Sequence, residues 1–108
     1  MVELIWAPSA IKAINEIAEY ISKDSILAAE NTVQLFFEKA ELLIRFPEYG
    51  KPVPELKDKK FREINVSSFR IIYELVSINV IHILTVHHHA RLLRNNPVFK
   101  SKLRSRRK

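Results

Sequence analysis

Three strand-like runs follow one another along this chain, separated by only two or three residues. Phe61–Val66 alternates in polarity, residues 69–76 are rich in β-branched and aromatic side chains, and residues 80–86 are nearly all apolar. Links this short are sufficient to close antiparallel hairpins. The almost continuous apolar character of the third run is typical of a central strand that is covered on both faces. The segment therefore predicts a three-stranded antiparallel meander.

Helical periodicity precedes these strands. A short apolar run, residues 2–6, predicts a first strand, and Pro8 with Ser9 suits the start of a helix. Ser25 can cap a second helix, which Pro47 ends. Apolar residues recur at spacings of three and four in both helices, as one buried stripe requires. They are Ile11, Ile14, Ala18 and Ile21 in the first helix, and Ala29, Val33, Phe36, Phe37, Ala40, Leu43 and Ile44 in the second.

The order strand, helix, helix, strand, strand, strand predicts an α+β fold. In it the helical hairpin packs on one face of a small, mainly antiparallel sheet. At 108 residues the chain has room for one domain. We expect Tyr73 to face the helices and Arg70 the open side of the sheet, because the two positions differ in parity. Trp6 is expected at the edge of the core, and the Gly/Pro-rich stretch 50–54 is expected to form a surface turn.

Composition excludes several classes of site. The chain holds no cysteine, which excludes disulfides, thiol catalysis and thiolate zinc sites and is typical of a reducing compartment. No apolar run approaches the roughly 20 residues of a membrane-spanning helix. Of the consecutive histidines His87, His88 and His89, only the first and last share a strand face, and no further His or Cys completes a ligand set. We expect a cytoplasmic protein with no cofactor, metal, membrane partner or small-molecule ligand.

Positive charge is concentrated at the carboxyl end. Residues 1–90 hold ten Lys and Arg against all twelve Asp and Glu, whereas residues 91–108 hold eight Lys and Arg and no acid. Such an end attracts polyanions or an acidic partner through a field that salt screens. We divide the chain into a single domain over 1–96 and a basic carboxyl-terminal helix or tail over 97–108. The alternative for the tail is a solubilising, frayed end.

Several features occur together in the order found in a known family. They are the helical hairpin, the connection Phe-Pro-Glu-Tyr-Gly-Lys-Pro-Val-Pro-Glu-Leu, Arg62 with Glu63, the run Phe-Arg-Ile-Ile-Tyr, and Val86 followed by the histidines and Arg91. This ordered set resembles the RelE/ParE superfamily of toxins from bacterial type II toxin-antitoxin modules. The resemblance implies the element order argued above. It also implies a co-expressed antitoxin as the partner that holds the toxin inactive.

The resemblance leaves two targets open, of which the first is the ribosome with its messenger RNA. Relatives of the RelE type cleave the message there, which needs a base, an acid and a cation on the phosphate. On this hypothesis the catalytic residues are Arg70, which matches a phosphate-binding arginine of RelE-like members, with His88, His89 and Arg91. Glu63 lies on the strand where RelE-like nucleases place lysines, and a carboxylate there opposes phosphate binding.

The second target is DNA gyrase, which relatives of the ParE type poison without accepted catalytic chemistry of their own. Arg-Glu-Ile at 62–64 and the ending Val-x-His-His-Ala-Arg look more like the ParE type, which we favour. The residues expected to meet the target or the antitoxin are then cationic, namely Arg62, Arg91, Arg94, Lys100, Lys102 and Arg104. A third hypothesis, an inert nucleic-acid-binding domain, predicts salt-dependent binding without toxicity.

Overall fold

The computed structural model describes residues 2–99, which form two α-helices and one five-stranded sheet. The spatial order of the strands is β1-β5-β4-β3-β2. Both helices lie on one face of this sheet, so the predicted α+β fold is confirmed. The elements in chain order are β1 (Glu3–Trp6), α1 (Pro8–Ser22), α2 (Ile26–Arg45), β2 (Lys51–Pro52), β3 (Phe61–Val66), β4 (Phe69–Ser77), β5 (Val80–His88) and a 3-10 helix (Leu93–Asn95).

The predicted meander is the centre of the sheet. β3 pairs antiparallel with β4, and β4 pairs antiparallel with β5. The first strand, β1, runs parallel to β5 and forms one edge, while the two-residue β2 forms the other edge against β3. In this register Arg70 on β4 lies between Asn65 on β3 and His87 on β5. The register therefore brings a buried cation next to an imidazole.

Local signals in the sequence explain where the helices begin and end. Pro8 occupies the first turn of α1, where its missing N–H costs nothing, and the Ser9 hydroxyl donates to the Leu84 carbonyl of β5 at 2.6 Å. The Ser25 hydroxyl caps α2 by accepting from the Ala28 N–H at 3.0 Å, as predicted. α2 stops at Arg45, two residues before Pro47. Neither helix within residues 2–99 is long and apolar enough to cross a membrane.

The helix-facing core is almost purely apolar. It joins Ile14, Phe36, Ala40 and Leu43 of the helices to Ile64, Ile71, Tyr73, Ile81, Ile83 and Val86 of the sheet. Trp6 packs at its edge, with its ring centroid 4.7 Å from that of Phe37. The prediction that Phe37 itself belongs to the core is wrong, because Phe37 is exposed. Neighbouring residues on a helix point about 100° apart, and Phe36 takes the inward direction.

A second, smaller core covers the opposite face of the sheet. Phe61 and Ile72 supply its sheet side, and loop residues Val53 and Leu56 together with Leu93 and Phe99 close it. The prediction that the stretch 50–54 is only a surface turn is therefore wrong in part. Two of its residues pair as β2, and Val53 is buried, because the open face still exposes apolar side chains that folding must cover.

Candidate functional site at the open face of the sheet

An ion cluster surrounds Arg70, the arginine to which the nuclease hypothesis assigns phosphate binding. The Arg70 Nη1 and Nη2 atoms donate to the two carboxylate oxygens of Glu55 at 3.0 and 2.7 Å, and Nε donates to Glu63 Oε1 at 2.8 Å. Arg70 and Glu63 are both buried, with side-chain exposures of 7% and 4%. One guanidinium is thus shared between two carboxylates.

The electrostatics of this cluster favour the charged forms of Arg70 and Glu55. Burial disfavours the Arg70 cation, but the hydrogen bonds that Arg70 donates to Glu55 and Glu63 outweigh it and raise the pKa of Arg70. The same pairing with Arg70 lowers the pKa of Glu55. The Lys51 ammonium lies 3.9 Å from Glu63 and is largely solvent-exposed. A phosphate that approached Arg70 would have to displace a bidentate carboxylate, which is costly in a buried position.

The first of the three histidines, His87, is buried beside Arg70 and has both ring nitrogens occupied. Its Nε2 lies 3.0 Å from the Arg91 carbonyl oxygen, and its Nδ1 lies 3.0 Å from the Asn96 side-chain nitrogen. Burial lowers the pKa of His87, and the nearby Arg70 cation acts in the same direction. A neutral imidazole with both nitrogens bonded has a structural role and no nitrogen left for proton transfer to a substrate.

His88 and His89 occupy different environments. The His88 ring packs edge-on against Phe69 with centroids 5.2 Å apart, and its Nδ1 accepts from the Ala90 N–H at 3.0 Å. His89 is exposed, and its backbone N–H bonds to the Ser68 carbonyl at 2.9 Å. Since alternate residues of β5 point to opposite faces, His88 lies on the helix side and away from Arg70. The structure therefore does not bring Arg70, His88 and His89 to one point.

Two of the predicted interface cations, Arg91 and Arg94, are exposed just after β5. Leu92 between them is also exposed, with 55% of its surface accessible, whereas Leu93 is buried in the second core. The segment is therefore anchored by one side chain and by the bond to His87 while it presents two cations and an apolar residue outward. That composition is typical of protein-binding surfaces, in which arginine is enriched.

Arg62, a third predicted interface cation, is engaged within the fold. Its Nη1 donates to the Gly50 carbonyl at 2.7 Å, and its Nη2 lies 3.9 Å from the Glu48 carboxylate. Tyr73 braces the same loop, because its hydroxyl accepts from the Gly50 N–H at 2.9 Å and donates to the Pro47 carbonyl at 3.0 Å. Burial raises the pKa of Tyr73, which keeps this donor protonated. The remaining predicted cations, Lys100, Lys102 and Arg104, lie outside the described residues.

A second surface lies along β1, the edge strand of the sheet that is farthest from β2. β1 pairs only with β5 among the strands of residues 2–99, so one side of its backbone faces solvent. Beside this edge runs a shallow groove of about 570 Å³ between β1 and α1. Its lining mixes apolar and charged side chains, namely Trp6, Pro8, Ile11, Lys12, Asn15, Glu16 and Glu19. The predicted helix stripe includes Ile11, but here Ile11 is exposed at the groove.

Sequence reasoning does not identify two residues that shape the site, Glu55 and Asn96. Glu55 stands in a loop, and its partner Arg70 is fifteen residues away, so no helical or strand period relates the two. Asn96 is nine residues from His87 and outside regular structure. The only signal for Glu55 is its place in the Pro-Val-Pro-Glu-Leu connection. Within residues 2–99 no three His, Asp or Glu side chains are grouped to hold a metal ion.

Comparisons with known proteins identify related chains. A family profile described as "ParE toxin of type II toxin-antitoxin system, parDE" matches residues 4–93. A protein of Caulobacter vibrioides named Toxin RelE2 is 29% identical over 92 residues, which are 85% of this chain and all of that protein. A solved structure described as the chromosomal ParDE TA system from P. aeruginosa has a TM-score of 0.67 at 21% identity. The matched region covers 82% of this chain and 96% of the chain in that structure.

Proposed function

This chain belongs to the ParE toxin family of type II toxin-antitoxin systems, and from that membership we propose that it inhibits growth by binding and poisoning DNA gyrase. On this proposal the toxin acts as a protein-binding inhibitor and not as an enzyme, its place of action is the cytoplasm, and a cognate antitoxin neutralises it. The competing proposal is the ribosome-dependent cleavage of messenger RNA.

The observation that carries the choice between the two targets is the neutralised state of Arg70. Cleavage of RNA requires a cation on the scissile phosphate and two groups that move protons. Here the Arg70 guanidinium is bonded to Glu55 and Glu63, and the nearest imidazole, His87, has both nitrogens occupied. A site whose cation and imidazole are already satisfied within the fold favours binding over chemistry.

The exposed surface after β5 gives independent support to the gyrase proposal. Arg91 and Arg94 are accessible, Leu92 offers an apolar contact between them, and the chain from residue 91 onward carries eight cations without an acid. Such a surface accelerates association with an acidic partner and supplies arginine side chains of the kind that dominate binding energy. We propose that Arg91 and Arg94 contact the target.

The open edge of β1 and its groove suit an antitoxin segment. An extended peptide that pairs with the free side of β1 would satisfy backbone groups that water now solvates. Apolar side chains that follow this peptide could then fill the groove next to Trp6 and Ile11. We propose that the antitoxin docks along this edge and that an acidic stretch of it also neutralises the basic end.

Pulse-induced expression in a bacterium distinguishes the two targets within one culture. We expect induction of the DNA-damage response with intact ribosome-associated messages, and inhibition of supercoiling by purified gyrase. Rapid cleavage of messages without a damage response would replace this proposal with the nuclease. Neither response, with salt-dependent binding to nucleic acid, would favour an inert binding domain.

Paired substitutions test the contact residues. Arg91→Ala with Arg94→Ala is expected to weaken gyrase inhibition about tenfold or more, because each arginine of a central contact contributes on the order of 1 kcal/mol. Lys23→Ala with Lys57→Ala removes the same charge from other exposed positions and is the matched control. Equal loss in both pairs would mean that net charge alone, and not this surface, determines inhibition.

Removal of residues 100–108 tests the electrostatic part of antitoxin binding. The deletion removes six Lys and Arg, so we expect slower association with the antitoxin at low salt and little change in dissociation. The association rate measured against salt concentration provides the readout. An unchanged rate at low salt would contradict this role.

A further inference from the structure

His87 fastens the segment that carries Arg91 and Arg94 to the sheet through two bonds, and the bond to Asn96 depends on the protonation state of the imidazole. The imidazole is buried between the ion cluster and the segment 91–96. Its Nε2 lies 3.0 Å from the Arg91 carbonyl oxygen, and its Nδ1 lies 3.0 Å from Asn96 Nδ2. Leu93 between these two contacts is buried as well. The segment is thus held at three successive points.

The orientation of the Asn96 amide fixes the tautomer of His87. Asn96 Oδ1 accepts from the Val98 N–H at 3.0 Å, so the amide nitrogen must face His87 and donate to Nδ1. A carbonyl can only accept, so Nε2 carries the proton and donates to Arg91. Only the neutral imidazole protonated on Nε2 satisfies both contacts. A second proton, on Nδ1, would point at the N–H of Asn96.

Rotation of the amide does not relieve that conflict. A turned Asn96 would offer its oxygen to a protonated His87 but would direct its NH₂ group at the Val98 N–H. The conflict would then have moved by one bond without being removed. Protonation of His87 therefore breaks one contact of the segment whichever way the amide faces.

The charged groups around His87 come from each element packed against it. Arg70 faces it from β4 and Arg91 from the segment itself, and both cations oppose protonation. Glu55, from the loop over the sheet, favours protonation, but its charge is paired with Arg70, as is that of Glu63. Burial is the largest effect and lowers the pKa of His87, and it outweighs the bond to the Arg91 carbonyl, which acts in the opposite direction. The neutral form is accordingly the one that the folded protein selects at neutral pH.

We infer that His87 and Asn96 are positioning residues that form a proton-sensitive latch, which holds the segment of Arg91 and Arg94 in place for target binding and loosens it in acid, when the Asn96 contact breaks. The latch is a property of the fold, and only its use rests on the proposed function. When the latch opens, the two arginines keep their charge but lose their fixed position. Binding that depends on a fixed position weakens, because the partner must then order the segment.

Nuclear magnetic resonance of the full chain tests the latch without any target. We expect the His87 signals of the Nε2-protonated neutral form near neutral pH. As the pH falls, we expect protonation of His87 together with lower protection factors for the Asn96 and Phe99 amide protons, which bond within this segment, after correction for the slower intrinsic exchange at lower pH. Protonation on Nδ1 in the neutral form, or exchange that does not follow the titration, would overturn the inference.

An isosteric substitution at Asn96 that adds a carboxylate sharpens the test. Asn96→Asp supplies a carboxylate that can accept from both the Val98 N–H and a protonated His87, so the dependence on pH should reverse and the segment should be held best in acid. His82→Gln, in the same strand but away from the segment, is the control and should leave the wild-type dependence unchanged. Asn96→Asp with the wild-type direction of pH dependence would overturn the latch.

Gyrase inhibition then separates the latch from the proposed target. Asn96→Ala is expected to raise the half-inhibitory concentration about tenfold at neutral pH, since ordering a short segment costs on the order of a factor of ten in affinity. If Asn96→Ala releases the segment in the resonance experiment but inhibits as well as the wild type, the positioning role is wrong. If the wild type itself does not inhibit gyrase, the proposed target is wrong, and the resonance result still decides the latch.

Discussion

The two faces of the sheet are closed by different kinds of interaction. On the helix side, apolar side chains such as Phe36 and Leu43 pack against Ile71 and Ile83, and burial of apolar surface is sufficient to hold the layers together. On the open side, buried Arg70 is paired with Glu55 and Glu63, and the smaller apolar core is closed by loop residues and the 3-10 helix instead of by the two α-helices. The stability of the helix side depends mainly on the apolar area that it buries. The stability of the open side also depends on the geometry of its hydrogen bonds and on the protonation of its ionisable groups.

The difference between the two faces indicates that function can respond to pH through the open face. Apolar packing changes little between pH 4 and pH 8, but an ion cluster and a buried imidazole respond to each proton. The surface that we propose for target binding is attached to the open face of the sheet by the bonds of His87 to Arg91 and Asn96.

The largest expected effect is a core truncation that compares the two faces. Phe36→Ala should lower the free energy of unfolding by about 3–5 kcal/mol, because it leaves a cavity in the helix-facing core. Phe99→Ala, in the second core, should lower it less, since the segment 91–99 can detach while the helix side stays folded. Urea denaturation gives both values. Equal losses would mean that the two cores unfold as one unit.

Loss of the central cation should have the next largest effect. Arg70→Met leaves buried Glu63 with only the exposed Lys51 ammonium as a counter-ion and should cost about 3 kcal/mol, at the lower end for broken buried pairs because Glu55 is 39% exposed. Glu63→Leu added to Arg70→Met should restore much of the stability, since it removes the stranded charge. A single substitution that costs less than about 1 kcal/mol would show that solvent screens the cluster.

Removal of one hydroxyl tests the loop that the sheet braces. Tyr73→Phe leaves the Gly50 N–H and the Pro47 carbonyl without this partner, and we expect a loss of about 1–3 kcal/mol in urea denaturation. Tyr20→Phe, on an exposed tyrosine, is the matched control and should change stability by less than about 0.5 kcal/mol. Similar losses of stability in Tyr73→Phe and Tyr20→Phe would show that the hydrogen bonds of Tyr73 do not stabilise the loop.

The smallest expected effects are the pH responses of the open face. Both His87 and Glu55 have a folded pKa below the ordinary value, so each contributes stability above that value and loses it as pH falls toward the folded pKa. The loss should begin near pH 6.5 for His87 and near pH 4.5 for Glu55. Thermal unfolding of the wild type and of His87→Gln at a series of pH values separates the two steps. If His87→Gln still loses stability near pH 6.5, that loss belongs to a group other than His87.

Much of the fold can be predicted from local pattern. The strand and helix order, the inward direction of Tyr73 and the opposite facing of Arg62 and Glu63 follow from periods of 3.6 and 2 residues, and the cap at Ser25 follows from the capping preference of serine. The predictions that failed concern places where a period does not decide. Phe37 shares an apolar pair with Phe36 but only one can face inward, and Val53 is buried because the open face needs a cover.

The sequence by itself determined the element order, the helix-facing core and the separation of acidic and basic charge along the chain. Only the tertiary structure decided that Arg70 is neutralised by Glu55 and Glu63 and that His87 bonds to Arg91 and Asn96. The physical reason is that periodicity and composition are properties of neighbours in the chain. A buried charge, in contrast, takes its partner from whatever loop the completed sheet brings within 3 Å, and that loop is fixed by the packing of the whole domain.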